Sequence, residues 1–245
     1  ELRTPLTLVT GYHRLLVDYD PITELTASDP AMAELVTGLN EAIDRMQVVI
    51  DEVLAFSRIM TNEIRLEIRP TYMAQVIEQA IERFQSAIDE RNITIHYDAA
   101  HWPAEMRADA ALIALTFENL LSNAIKATPD SGHIYLAARA KDDWVRMVVR
   151  DTGVGIKPED QVKIFEHMHI VGEIGLHSTS KTAFGGGGLG LVLAICRGIV
   201  EAHGGTIKVK SPVFDSANYP GSEFIITMPL VPKGSGMSAS LVSTG

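Results

Sequence analysis

From Leu2 the apolar positions Leu2, Leu6, Val9 and Leu16 recur at alternating steps of four and three residues, with His13 the polar member of the series. This heptad seam predicts an amphipathic helix. Pro5 falls in its first turns as the chain is written, and would kink a helix that began further upstream. The segment from Pro21 to Asp29 reads as a loop ending in Asp29-Pro30, an acidic cap followed by proline at the first helical position. A second helix then carries Leu35, Leu39, Ala42, Met46, Val49, Val53 and Phe56 at the same spacing. Two such helices form an antiparallel hairpin, and a lone hairpin leaves much of each seam wet. Two copies are therefore expected to pair into a dimeric four-helix bundle. Packing of the helices on the rest of their own chain is the alternative.

Beyond residue 60 the pattern shortens. Residues 61 to 70 alternate apolar and polar and predict a short strand past a hinge. A helix is expected from Thr71 to Arg91, a strand from Ile93 to Tyr97, and a helix from about Asp109 with Leu112, Leu115, Leu120 and Ala124 on its apolar face. Gly132 to Ala140 and Trp144 to Arg150 predict two strands joined at the polar turn Lys141-Asp142-Asp143. Between His167 and Gly188 the periodicity dissolves into Gly, Ser, Thr and His, as in a lid or binding loop. A helix from Gly190 to His203 and strands Thr206 to Lys210 and Phe224 to Met228 follow. From Lys233 the Ser- and Gly-rich composition predicts a disordered tail.

Composition narrows the function. A formal net charge of −10 argues against a nucleic-acid-binding surface, which needs clustered Lys and Arg. The single cysteine, Cys196, excludes an internal disulfide framework, and its apolar helical context points to packing rather than reactivity. No apolar run approaches the roughly 18 residues of a membrane span, and no signal peptide is visible. The single cysteine also suits a reducing, cytoplasmic compartment, and because the chain begins without Met it reads as a fragment of a longer protein. Any membrane contact is expected only through parts outside it.

Three stretches carry chemistry. Asp151-Thr152-Gly153-Val154-Gly155-Ile156 follows a β-branched run, so Asp151 sits at a strand end. The two glycines let the backbone turn close to a ligand. A carboxylate there is an acceptor suited to an exocyclic purine amine, although the stretch alone also reads as an ordinary β-turn. Upstream, Asn119 and Asn123 are four apart on one helical face, with Lys126 close to the same side. Amide oxygens suit a hard cation such as Mg²⁺, and an ammonium suits phosphate. Downstream, Gly185 to Gly188 and Gly190 run into an apolar helix, offering unpaired backbone N–H groups to an anion. The dinucleotide fingerprint is rejected: no strand immediately precedes the glycines, and no acidic residue stands roughly 20 positions on. His167, His169 and His177 lack a cysteine neighbour and are a poor zinc set.

In this order the three stretches resemble the N, G1 and G2 boxes of the sensor histidine kinases, within the superfamily that includes gyrase and the mismatch-repair ATPases. Ile164-Phe165-Glu166 resembles the F box, and Glu1-Leu2-Arg3-Thr4-Pro5-Leu6 looks like an H box lacking its first residue. The resemblance covers about Glu1 to Leu230. It implies an α+β fold, the helical hairpin followed by a two-layer α/β sandwich that binds ATP. The domains would be residues 1–62 for dimerisation and histidine phosphotransfer, 63–232 for catalysis, and 233–245 for the tail. It also implies that Asp151 holds the adenine amine, with Gly153 and Gly155 shaping the turn. Asn123 would ligate Mg²⁺, Asn119 support the metal and its water, and Lys126 touch phosphate. Gly186, Gly188, Leu189 and Gly190 would frame the phosphates. Glu1 would be the base for phosphorylation of a preceding histidine, and Thr4 would position water when the phospho-aspartate of a response regulator is hydrolysed. Ala127 departs from the family, which often has an aromatic there, and the lid lacks the usual second aromatic-proline signature. Two rivals remain: an ATP-driven switch without phosphotransfer, and a pseudokinase scaffold.

Overall fold

A computed structural model of the chain describes residues 3–60, 65–166 and 191–232. The chain divides into two compact units, Glu1–Met60 and Thr61–Gly245.

The first unit is three helices: α1 (Arg3–Val17), α2 (Asp20–Ser28) and α3 (Pro30–Met60). Asp29 caps α3 as expected, accepting a hydrogen bond from the Ala31 N–H at 2.9 Å, with Pro30 opening the helix. The loop expected from Pro21 to Asp29 is corrected: the segment is the helix α2, with Pro21 in its first turn. Its hydroxyl-rich residues satisfy themselves inside the helix: Thr26 donates to the Ile22 carbonyl at 2.7 Å and Ser28 to that of Glu24 at 2.8 Å. Both α1 and α2 pack on α3, with Leu6 and Ile43 buried. Leu35, Leu39, Met46 and Val53 stay exposed along α3, an apolar stripe that a single copy leaves in water.

The second unit is a two-layer sandwich. Its mixed five-stranded sheet has the order β2-β4-β5-β7-β6. The strands are β2 (Thr94–Tyr97), β4 (His133–Lys141), β5 (Trp144–Asp151), β6 (Thr206–Lys210) and β7 (Glu223–Pro229). β2 runs parallel to β4 and the remaining pairs are antiparallel. The long helices α4 (Met73–Arg83), α6 (Ala110–Ala127) and α7 (Val192–Ala202) form the second layer, α6 against β5 and α7 against β6. Met73, Ile77, Leu120, Ile125, Met147, Ile195 and Met228 fill the space between. A small antiparallel pair, β1 (Arg69–Thr71) with β3 (Met106–Ala108), lies apart from the main sheet.

Two further expectations need correction. The strand expected over 61–70 shrinks to β1: residues 65–68 are irregular, residues 61–64 lie outside the described ones, and Pro70 withholds a ladder donor. The helix expected from Thr71 to Arg91 breaks at Phe84 (φ −107°, ψ 8°) into α4 and α5 (Gln85–Glu90), because the Phe84 side chain turns inward to the core. No expectation covers β3, which is too short to announce itself by period. The lid, the glycine-rich stretch and the tail from Lys233 lie outside the described residues.

Helix α6 is anchored at its N-terminus. Asp109 accepts hydrogen bonds from the N–H groups of Leu112 at 3.1 Å and Glu67 at 3.0 Å. Its own N–H donates to Nε2 of the fully buried His203 at 3.0 Å. Nε2 must therefore be bare, so Nδ1 carries the proton and donates it to the Ile199 carbonyl at 2.8 Å. Burial pushes the His203 pKa below its usual 6.5. A histidine held neutral in the fold contributes stability that is full above its unfolded pKa and is lost as pH falls below it. We predict that this group steepens acid destabilisation below pH 6.5 by up to about 1.4 kcal/mol per pH unit. Urea unfolding of His203→Gln should lose that component of the slope, and an unchanged slope would refute it.

Candidate functional site

The turn after β5 is held from two sides. Asp151, only 3% exposed, uses Oδ1 to accept hydrogen bonds from the N–H groups of Gly153 at 2.8 Å and Ser222 at 3.2 Å. The Asp151 N–H donates back to the Ser222 carbonyl at 2.9 Å. Oδ2 takes no partner among the described residues, which leaves it for a ligand. On one side the Ala127 carbonyl, at the end of α6, accepts from Val154 N–H at 3.2 Å. A Cβ on Gly153 would collide with that carbonyl, so the glycine lets α6 and the turn touch. On the other side, Ser211 Oγ accepts from Ile156 N–H at 2.9 Å and donates to the Gly221 carbonyl at 2.8 Å. Gly155 sits at φ +77°, where a side chain would strike the Val213 carbonyl.

This packing sets the electrostatics. Burial raises the Asp151 pKa to about 6, against the lowering by the Gly153 and Ser222 N–H groups and the Arg150 charge. A carboxylate kept in so dry a place, with one oxygen free, is suited to one charge-assisted hydrogen bond.

Asn119, Asn123 and Lys126 are partly exposed along α6. Asn119 reaches the thiol of Cys196 on α7. Lys126 is one residue before Ala127, whose carbonyl joins the Asn-bearing helix α6 to the turn after β5. Ile164 and Phe165, in the stretch that resembles an F box, are buried, and Phe165 meets Phe224 edge-on at 6.4 Å. Thr4 falls in the first turns of α1. Glu1 and the proposed phosphate frame Gly186, Gly188, Leu189 and Gly190 lie outside the described residues.

Sequence reading missed three supports of the turn. Ser222, Gly221 and Ser211 come from a segment some 60 to 70 residues downstream, and the only signal was the Tyr219-Pro220-Gly221 turn composition. Arg91 was also missed. Its side chain, 11% exposed, donates to the carbonyls of Ile125 at 2.6 Å and Thr128 at 2.5 Å and pairs with Asp130 at 2.9 Å, closing the C-terminus of α6.

Residues 108–232 match the family of histidine kinase-, DNA gyrase B- and HSP90-like ATPases, and residues 1–62 match the His Kinase A (phospho-acceptor) domain. The signal transduction histidine-protein kinase/phosphatase MprB of Mycolicibacterium paratuberculosis is 32% identical over 94% of this chain, and the chain spans 41% of that relative. Full-length ShkA, solved in complex with AMPPNP, superposes with a TM-score of 0.72 at 29% identity, over 93% of this chain and 43% of that one. The catalytic domain of the histidine kinase ThkA covers 68% of this chain and 97% of its own length, with a TM-score of 0.53 and 26% identity. With both domain matches in series, the chain belongs to the sensor histidine kinases.

Proposed function

We propose that the chain is the cytoplasmic kinase core of a two-component sensor, moving the γ-phosphoryl group of ATP to a histidine preceding Glu1 and on to a response-regulator aspartate. The observation that carries this reading is the buried Asp151 carboxylate with Oδ2 free, on a turn joined to the end of the Asn-bearing helix. Asp151 would accept from the adenine amine while Lys126 meets phosphate. Asn123 offers an amide oxygen of the kind Mg²⁺ prefers, and Mg²⁺ would neutralise charge on the phosphates. Asn119 would support the metal and its water. Gly186, Gly188, Leu189 and Gly190 would close on the phosphates with backbone N–H groups, with Gly153 and Gly155 keeping the turn open. Glu1 would act as base, and Thr4 would position water for the reverse, dephosphorylating reaction. The name of the mycobacterial relative, which joins kinase and phosphatase, supports that second role. The exposed stripe on α3 supports a homodimer. Among the described residues no helix is long and apolar enough to cross a membrane.

A chain extended by one histidine immediately before Glu1 should acquire an acid-labile, base-stable phosphate from γ-labelled ATP, and the chain beginning at Glu1 should not. Strong labelling of the unextended chain would contradict the H-box assignment. Failure of the extended chain to label would put a non-transferring ATP switch first. For the metal, Asn123→Ala should abolish the dependence of ATP affinity on Mg²⁺. A mutant whose affinity still rises normally with Mg²⁺ would strike Asn123 from the ligand set.

A further inference from the structure

On the exposed face of the main sheet, His96 of β2 and His133 of β4 lie diagonally across a parallel pair, since His96 stands opposite Tyr135 and His133 opposite Thr94. Nε2 of His96 and Nδ1 of His133 are 3.2 Å apart. Each residue is held independently of the other. The His96 ring stacks on Tyr135, with centroids 4.3 Å apart and planes 8° from parallel. The His133 N–H donates to Thr152 Oγ1 at 2.9 Å, and its carbonyl accepts from the Thr152 N–H at 3.0 Å. Neither histidine takes part in the nucleotide chemistry above.

Each of the two facing ring nitrogens can present a lone pair in one tautomer, so the pair can chelate an ion. With metal–nitrogen bonds of about 2.0–2.1 Å, a 3.2 Å separation corresponds to a nitrogen–metal–nitrogen angle of about 100°, between the octahedral and tetrahedral values. The alternative use of the pair, a single hydrogen bond in an exposed place, contributes little to the fold. We propose that His96 and His133 form a two-imidazole subsite for a transition-metal dication of the Zn²⁺, Ni²⁺ or Cu²⁺ type. Imidazole favours these ions, whereas Mg²⁺ demands oxygen ligands, so the subsite and the nucleotide's metal do not compete. Among the described residues no third histidine, cysteine or carboxylate completes a cluster, so water occupies the other coordination positions and the ion exchanges freely. Asp98, in the cleft of about 540 Å³ shared with His96 and Tyr135, is already paired with His101 at 2.9 Å. Arg150, 5.7 Å from the Tyr135 ring centre, is the nearby cation that tempers affinity. The subsite also borders the G1 turn, because Ile134, next to His133, pairs in register with Asp151, and Thr152 follows it.

The test is titration calorimetry of the whole chain with Zn²⁺ and, separately, Ni²⁺, in excess Mg²⁺. His96→Ala and His133→Ala should each weaken one site by about ten-fold or more, and the double variant should lose little further, because a chelate fails with its first ligand. His101→Ala should leave that site intact. All three positions are exposed, so the variants should fold, and thermal melting confirms it. If both single variants bind as tightly as the parent, any ion sits elsewhere among the eight histidines and the proposal falls. It falls equally if the parent binds neither ion.

Discussion

Asp151→Asn is expected to give a protein that is more stable than its parent and nearly blind to ATP. Oδ1 must keep accepting from Gly153 and Ser222, so the mutant amide has to place its NH₂ group where Oδ2 stood. A donor then faces the adenine amine, itself a donor. Loss of the charge-assisted bond and the new clash of donors should cost on the order of 2 kcal/mol or more, roughly a 30-fold rise in Kd. Stability moves the other way. The folded pKa of about 6 lies above the ordinary 3.8, so the buried charge weakens the fold as pH rises through that window. Above pH 6 the cost is on the order of 3 kcal/mol, and it vanishes below pH 3.8. Asparagine removes it, while His203 acts in the opposite sense, losing stability as pH falls below 6.5. The mutant should therefore gain stability at neutral pH and lose it on acidification more steeply than the parent. Calorimetry with ATP and urea titrations at two pH values measure both effects. Equal ATP affinities would remove Asp151 from the site, and equal stabilities would mean that the charge is solvated.

The second large effect belongs to a residue that touches no motif. Arg91→Ala should destabilise the ATPase unit by about 3 kcal/mol, because two carbonyls at the end of α6 lose a buried charged donor together. Arg91→Lys should recover little, since an ammonium lacks the planar fork that reaches both carbonyls. The damage extends to function, because Ala127, between those two carbonyls, holds Val154 and walls Gly153. A chemical denaturation midpoint unchanged in Arg91→Ala would mean that water caps the helix equally well.

Legibility tracked the range of the physics involved. Helix α6, the β4–β5 pair and the placement of Asp151 could be read because each follows from local period or from a turn between neighbours. The nearly continuous apolar content of α7 announced a buried helix. By contrast, the break at Phe84 depends on a side chain finding the core, and no Gly or Pro marks it. Helix α2 escaped because Thr, Ser, Asp and Pro favour turns on average, whereas here their hydroxyls and the missing proline N–H suit a short helix. The partners of the candidate site were hardest. Ser222 meets Asp151 only because β7 lies beside β5, a pairing across some 70 residues that no local pattern encodes.

Cys196 is fully buried on α7, its thiol 3.8 Å from the Thr116 carbonyl on α6, and burial pushes its pKa to about 12. The thiolate is the form that attacks thiol reagents, so in the closed domain the sulfur is both shielded and in the wrong protonation state. Reaction has to wait for α7 to lift off α6. The sole cysteine thus serves as an internal clock of that opening, and its modification rate reports how often the helix layer parts rather than how reactive the sulfur is. Since α6 also carries Asn119, Asn123 and Lys126, any ligand that holds α6 in place should slow the clock, making occupancy readable by mass without touching the site.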